Sequence, residues 1–291
     1  MRNGGVGVVG KGFQDERFLV DVAWLQAHLE DPRLRLIDGR TSEEYAAGHI
    51  PGAANVHFGV LGTQDTDPAG VADFNARQVA ALREAGVNDD SIVVTYEGFS
   101  GTSAARGVWV LDYYGHDNAQ LLDGGLQAWV AAGGKVTTEA THVAPGTFEP
   151  RLHPERLATY RDILERLERD DVVILDTRRI TEHLGTEFRT ARGGTIPRSL
   201  HLQWSNGIDA AGTLRAADEL RALFAQHGVT PEKEIVAFCG GGYRSSHTYL
   251  VLKMLGYPNV RNYLGSWGEW GNRAGVPIEA RETPRQHAGD A

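Results

Sequence analysis

The 291-residue chain contains a single cysteine, Cys239. An intrachain disulfide is impossible, and a metal site built on several thiolates is excluded. The chain also lacks a basic surplus: 29 Lys and Arg stand against 38 Asp and Glu, a formal net charge of -9. Polyanion binders show the opposite balance, so nucleic acid is not expected as a partner. No window approaches the roughly 20 apolar residues that cross a bilayer, so no membrane span is expected. The opening, MRNGGVGVVGKGF, has neither the hydrophobic region nor the small-residue cleavage site of a secretory signal. A cytoplasmic location is expected, where a lone thiol stays reduced. What is present is ordinary for a folded protein: 41% hydrophobic and 23% charged residues, over a length that suits two domains.

The chain repeats itself. LRLIDGR, ending at Asp38-Gly39-Arg40, is echoed by VVILDTR, ending at Asp176-Thr177-Arg178. GHIPGA carries Ile50-Pro51 and GTIPRS carries Ile196-Pro197, with an insertion before the second. SIVVTYE matches EIVAFCG, which sets Glu97 opposite Cys239. Gly115 then matches Gly256, and Trp129 matches Trp270. Blocks in one order indicate a duplication, and each copy is domain-sized, beyond the roughly 20–50 residues of a solenoid repeat. Short apolar runs such as LRLID and IVVTY suit buried parallel strands. Segments such as SEEYAAG and RSSHTYLVLKMLGY suit helices ending at glycine. The expected fold is α/β: tandem domains, each a mainly parallel sheet with helices on both faces. The expected division is a loose lead-in over 1–17, a first domain over 18–136, a linker over 137–153, a second domain over 154–280 and a tail over 281–291. The linker is assigned from its missing periodicity and from Pro145 and Pro150.

Cys239 ends the apolar strand EIVAF and precedes Gly240, Gly241, Gly242, Tyr243, Arg244, Ser245 and Ser246, where a helical pattern begins. A strand, a glycine-rich turn and a helix start aim successive backbone N–H groups at one point, an anion nest. A thiol there has a lowered pKa, and the thiolate is the nucleophile. The bland alternative is a small buried hydrophobe, the usual fate of a lone cysteine; the glycines, arginine and helix start favour reactivity. Glu97, in the matching place, cannot perform thiol chemistry, so one active site per chain is expected.

These residues resemble the rhodanese family of sulfurtransferases. YAAGHIPGAANV (45–56) is similar to the family's N-terminal signature, VRNYLGSWGEW (260–270) to its C-terminal signature except at Leu264, and CGGGYRS to its active loop. The resemblance spans about residues 18–275. It implies a persulfide on Cys239, formed from a small-molecule sulfur donor and passed to cyanide or a thiol by a ping-pong route, without a cofactor. It implies substrate contacts from the loop residues Gly240, Gly241, Gly242, Tyr243, Arg244 and Ser245. Arg244 gives a Cys-x4-Arg spacing, smaller than the Cys-x5-Arg of phosphatases of related fold, so phosphoryl transfer is disfavoured. It is also a fixed cation for the sulfonate of thiosulfate, the expected donor, with 3-mercaptopyruvate as the alternative. Two-domain members carry a donor-binding Arg six positions after the strand-end Asp. Here that position is Glu182, and Arg189 or Arg192 in the insertion is a candidate replacement.

The remaining pocket candidates are Trp24, Arg178 and Trp267. For Trp24 a core anchor of the first helix is an equal reading. For the Asp176–Arg178 pair a structural ion pair is preferred, because Asp38 and Arg40 repeat it in the inactive copy. Trp267 and Trp270 are expected to close the core. Ser246 is expected to cap the helix, and Ser245 either to cap it or to hydrogen-bond the sulfur. His247 is expected to be packed or on the surface, and His49 to be structural, with Thr195 as its counterpart. A monomer is expected, with a sulfur-accepting protein as a possible partner. The competing classes are a non-catalytic rhodanese-like binding module and a protein persulfide relay.

Overall fold

The computed structural model describes residues 10–280. The tail expected over 281–291 and the first part of the lead-in lie outside the described residues.

Two compact units divide the chain, and neither is contiguous. Of the described residues, the first comprises 10–61, 74–153 and 208–216; the second comprises 62–73, 154–207 and 217–280. A division at 136 and 154 does not contain the short segments 62–73 and 208–216, each of which belongs to the compact unit of the other copy.

The first unit holds β1 (Leu19–Val20), α1 (Val22–His28), β2 (Leu34–Asp38), α2 (Ser42–Ala47), β3 (Ala53–Asn55), most of α3 (Pro68–Glu84), β4 (Ile92–Tyr96), α4 (Thr102–Tyr113), β5 (Ala119–Leu122) and α5 (Gly125–Ala131). The second holds β6 (Leu157–Ala158), α6 (Tyr160–Arg166), β7 (Val172–Asp176), α7 (Ile180–His183), β8 (Leu200–His201), α8 (Ala217–Gln226), β9 (Glu234–Phe238), α9 (Tyr243–Met254), β10 (Val260–Tyr263) and α10 (Ser266–Trp270). Each sheet has five strands, ordered β1-β5-β4-β2-β3 and β6-β10-β9-β7-β8, and every pairing is parallel. Parallel neighbours need crossovers, and the intervening helices supply them. All five residues of β4 are buried, as are four of the five in β9. These are strands covered on both faces, which is why they read as unbroken apolar runs.

The repeat survives in side-chain detail. The buried Arg178 binds Asp176 at 2.6 Å and donates to the Gly194 carbonyl at 2.8 Å. Arg40 does the same to Asp38 at 2.6 Å and Gly48 at 2.6 Å. Both pairs fix the turn after a strand, which supports the structural reading. Trp129 Nε1 donates to the Lys135 carbonyl and Trp270 Nε1 to that of Pro277, each at 2.8 Å. His49 exchanges two backbone hydrogen bonds with Thr137, each 2.9 Å, as Thr195 does with Glu279 at 2.8 and 2.9 Å. The imidazole of His49 stacks on Tyr45 and bonds the carbonyls of Tyr45 and Glu139, a structural role. The stretch 137–153 has little regular structure but is not a free spacer. Phe148 is buried, and Arg151 and His153 donate backbone hydrogen bonds to Tyr114 and Tyr113.

Candidate active site

β9 is the central strand of the second sheet. The chain leaves β7 toward β8 on one side and β9 toward β10 on the other, so the carboxyl ends of β7 and β9 flank the point where strand order reverses. That point is where open α/β sheets place their sites. Cys239 is the first residue past β9.

Gly242 precedes α9 at φ 85°, ψ 3°, a left-handed conformation that a side chain would strain. The kink turns the chain back, and the Gly242 amide donates to Cys239 Sγ at 3.1 Å. Ser245 Oγ lies 3.6 Å from Sγ and 2.6 Å from Asn262 Oδ1. Burial raises the thiol pKa, but the Arg244 guanidinium and the hydrogen bonds from Ser245 and Gly241 outweigh it, leaving Cys239 below its ordinary value. The nest and the nearby cation therefore favour anionic sulfur.

β10 and the start of α10 brace the loop. Asn262 Nδ2 donates to the Gly242 carbonyl at 3.0 Å and to Ser246 Oγ at 2.8 Å. Ser266, at φ 50°, accepts from the Cys239 amide at 3.0 Å and donates to the Tyr263 carbonyl at 2.8 Å. A serine held there costs about 1–3 kcal/mol and persists because its surroundings fix it. The Trp267 and Gly268 amides donate to the carbonyls of Cys239 and Gly240, each at 2.8 Å. Residues 62–67 form a strap beside this region: a Cβ on Gly62 would stand 2.7 Å from the Tyr243 hydroxyl, and one on Gly268 3.0 Å from the Gln64 side chain. Buried Glu269 holds the strap by accepting from the Thr66 amide at 2.9 Å and hydroxyl at 2.7 Å.

The other sequence candidates have the following surroundings. Arg244 is not an unengaged cation: it is bound in bidentate fashion to Glu182, at 2.6 and 2.9 Å. Arg192 is not a donor-binding replacement. Its guanidinium donates to the carbonyls of Trp270 (2.9 Å), Val276 (3.1 Å), Gly271 (3.4 Å) and Arg273, tying down the chain after α10. Arg189 is exposed in the insertion. Ser246 does not cap α9; it donates to the Gly242 carbonyl one turn back. Trp24 stacks on His28 and packs against the core of the first unit. Trp267 is buried, with Arg178 over its ring at 4.5 Å. His247 is buried edge-on to Trp204.

Asn262, Ser266, His183 and the strap were not foreseen. His183 is fully buried, with Nδ1 2.9 Å from Asp176 Oδ2. A repeat offers no motif for such residues; only the polar Asn262 within the apolar strand VRNY is a visible signal.

A rhodanese-like domain model matches residues 21–132 and again 159–273. The chain is 36% identical to a Thermus thermophilus protein named sulfur carrier protein TtuD, covering 93% of this chain and 99% of that protein. It is 34% identical to a thiosulfate sulfurtransferase of Pseudomonas aeruginosa, covering 92% and 98%. It is 30% identical to the 3-mercaptopyruvate sulfurtransferase of Escherichia coli K12, covering 90% and 98%. Among solved structures, an anaerobic ergothioneine biosynthesis enzyme from Chlorobium limicola shares the fold at a TM-score of 0.79 and 23% identity, over 92% of this chain and 71% of that one. Among the described residues no helix is long and apolar enough to cross a membrane. With the doubled sheet, the doubled domain match and these relatives together, the chain belongs to the rhodanese family of sulfurtransferases, as two rhodanese-like domains in tandem.

Proposed function

We propose that the protein moves a sulfane sulfur from thiosulfate to cyanide or a cellular thiol through a persulfide on Cys239. The observation that carries this reading is the cradle at Cys239: a thiol below its ordinary pKa, receiving an amide hydrogen bond at 3.1 Å at the head of α9. The thiolate attacks the outer sulfur of thiosulfate; the new S–S bond forms as the old one breaks, and its electron pair leaves with sulfite. The acceptor then attacks the outer sulfur of the persulfide, and the thiolate leaves. Covalent catalysis splits one transfer into two steps, and the same amides stabilise the anionic sulfur in each. The loop residues Gly240 to Ser245 line this path, and the reaction needs no cofactor. The protein acts as a cytoplasmic monomer in this reading.

3-Mercaptopyruvate is the alternative donor, on the name of the relative from Escherichia coli. A persulfide relay to a partner protein is the second reading. It is favoured by the pairing of Arg244 with Glu182, which leaves less positive charge for a dianionic donor, and by the name of the relative from Thermus thermophilus.

Intact mass after mixing the reduced protein with either donor tests the reading. A gain of one sulfur atom, absent in Cys239→Ala, is expected, and the faster donor identifies the substrate. No gain with either donor would return the weight to a binding module.

A further inference from the structure

We propose that Glu182 is the specificity-determining residue of the Cys239 site: by holding Arg244 it selects against donors that carry negative charge beside the transferred sulfur. This rests on Cys239 being the sulfur-accepting nucleophile.

The charges are explicit. With the thiolate formed, Cys239 and Glu182 are negative and Arg244 is positive, so the cluster carries one net negative charge. Without Glu182 it would be neutral. A thiosulfate dianion meets a paired guanidinium, and full use of Arg244 requires breaking a two-point contact with only 24% and 16% of the two side chains exposed. The clamp is stiff. The Glu182 carboxylate also accepts from the Arg179 amide at 3.2 Å and Nε at 3.3 Å, closing a capping box on α7. Arg179 in turn binds Glu187 at 2.6 Å. Burial pushes the Glu182 carboxyl up, but the Arg244 and Arg179 contacts hold it down at about 2, so the clamp is closed at every physiological pH.

The first copy supplies a comparison. Glu44 is the matching third residue of α2 and also closes a capping box, accepting from the Thr41 amide at 3.0 Å and hydroxyl at 2.7 Å. The first-copy loop EGFSGTSAAR has no arginine at the place of Arg244. The same capping carboxylate thus gains a second task only in the copy that keeps the cysteine. Glu182 acts through Arg244 and is a positioning residue. Thiosulfate still loads Cys239, at a higher KM than it would have without Glu182, while donors whose sulfane sulfur sits on an uncharged organic group escape that penalty.

The test compares the full-length protein with Glu182→Gln, which keeps a capping acceptor but not the charge, and Glu182→Asp, which keeps the charge. Cys239 is alkylated with iodoacetate and with iodoacetamide, reagents of similar size and different charge, and thiosulfate kinetics are run in parallel. In Glu182→Gln the iodoacetate-to-iodoacetamide rate ratio is expected to rise about tenfold, as removal of one nearby, partly screened charge predicts. The KM for thiosulfate falls while kcat changes little. Glu182→Asp stays near the parent, and Glu182→Ala shifts in the direction of Glu182→Gln. A ratio in both Glu182→Gln and Glu182→Ala that stays at the parent value overturns the proposal. If the ratio responds but thiosulfate never loads sulfur, the thiosulfate reading fails and the assignment of Glu182 stands.

Discussion

Glu97 and Cys239 are the first residues past the equivalent strands β4 and β9, and each places an acidic atom in the amide cradle of the helix that follows. Glu97 Oε2 accepts from the Ser103 amide at 2.8 Å and the Ala104 amide at 3.4 Å, while Cys239 Sγ accepts from Gly242 at 3.1 Å. A Cβ on Gly101 would fall 1.5 Å from Glu97 Oε1, so the first loop is closed around its own carboxylate. The first copy, which holds no cysteine, has kept the nest and filled it from within.

That filling predicts a separation of effects. Glu97→Ala leaves the amides at the start of α4 without their acceptor, and a buried unsatisfied donor costs about 1–3 kcal/mol. Chemical denaturation should show a loss of that order, while sulfur loading of Cys239, followed by mass, stays at the parental rate.

Arg244 governs the ionisation of Cys239. It is the largest influence lowering a thiol that burial pushes up. In Arg244→Ala the thiol pKa rises, so the acid limb of the pH–rate profile for persulfide formation moves to higher pH. The rate at neutral pH drops about 10²-fold, the usual loss when one stabilising group is removed from a developing anion. Cys239→Ala abolishes transfer. A profile for Arg244→Ala that superimposes on the parent would contradict the electrostatic account.

Asp176 and Arg178 predict an acid-sensitive core. Burial raises the Asp176 carboxyl, but Arg178 and His183 outweigh it and hold it below the ordinary carboxylate range. A depressed folded pKa gives stability that is present above the unfolded value of 3.8 and is lost as pH falls through the folded one. Arg178→Ala leaves Asp176 buried without its main partner and should cost about 3–5 kcal/mol. Denaturation midpoints measured across pH for parent and variant check both the size and the sign.

The repeat made much of this legible. Strand-end Asp38 and Asp176, the Ile-Pro pairs and the matched tryptophans mark equivalent places in two parallel sheets, and the Cys-Gly-Gly-Gly run announces the nest. The pairing of Glu182 with Arg244 was not legible, because it joins residues far apart in sequence and Glu182 already had a local role in its capping box. Arg192 misled for a related reason: an arginine in an insertion looks available for a ligand, but carbonyls left open past α10 claim it first. The strap at 62–67 was invisible because its partner, Glu269, sits in the other copy's half of the chain, and no periodicity links Thr66 to it.

Asn262 carries the last prediction. Ser245 has one hydroxyl proton and two acceptors within reach, Asn262 Oδ1 at 2.6 Å and Cys239 Sγ at 3.6 Å. The proton is shared between them, and the shorter contact to Asn262 Oδ1 weakens the hydrogen bond that the hydroxyl donates to the sulfur. When the thiolate or persulfide forms, the hydroxyl gains by turning its proton to the sulfur, at the cost of its bond to Asn262. Asn262→Leu, close in volume, removes that competition and frees the proton for the sulfur. It also strips the Gly242 carbonyl and Ser246 of a donor, which costs about 1–3 kcal/mol in stability. The expected variant is less stable, by denaturant midpoint, yet its thiol ionises at lower pH in an alkylation profile. A thiol pKa unchanged from the parent would show that Ser245 does not shift its proton between the two acceptors.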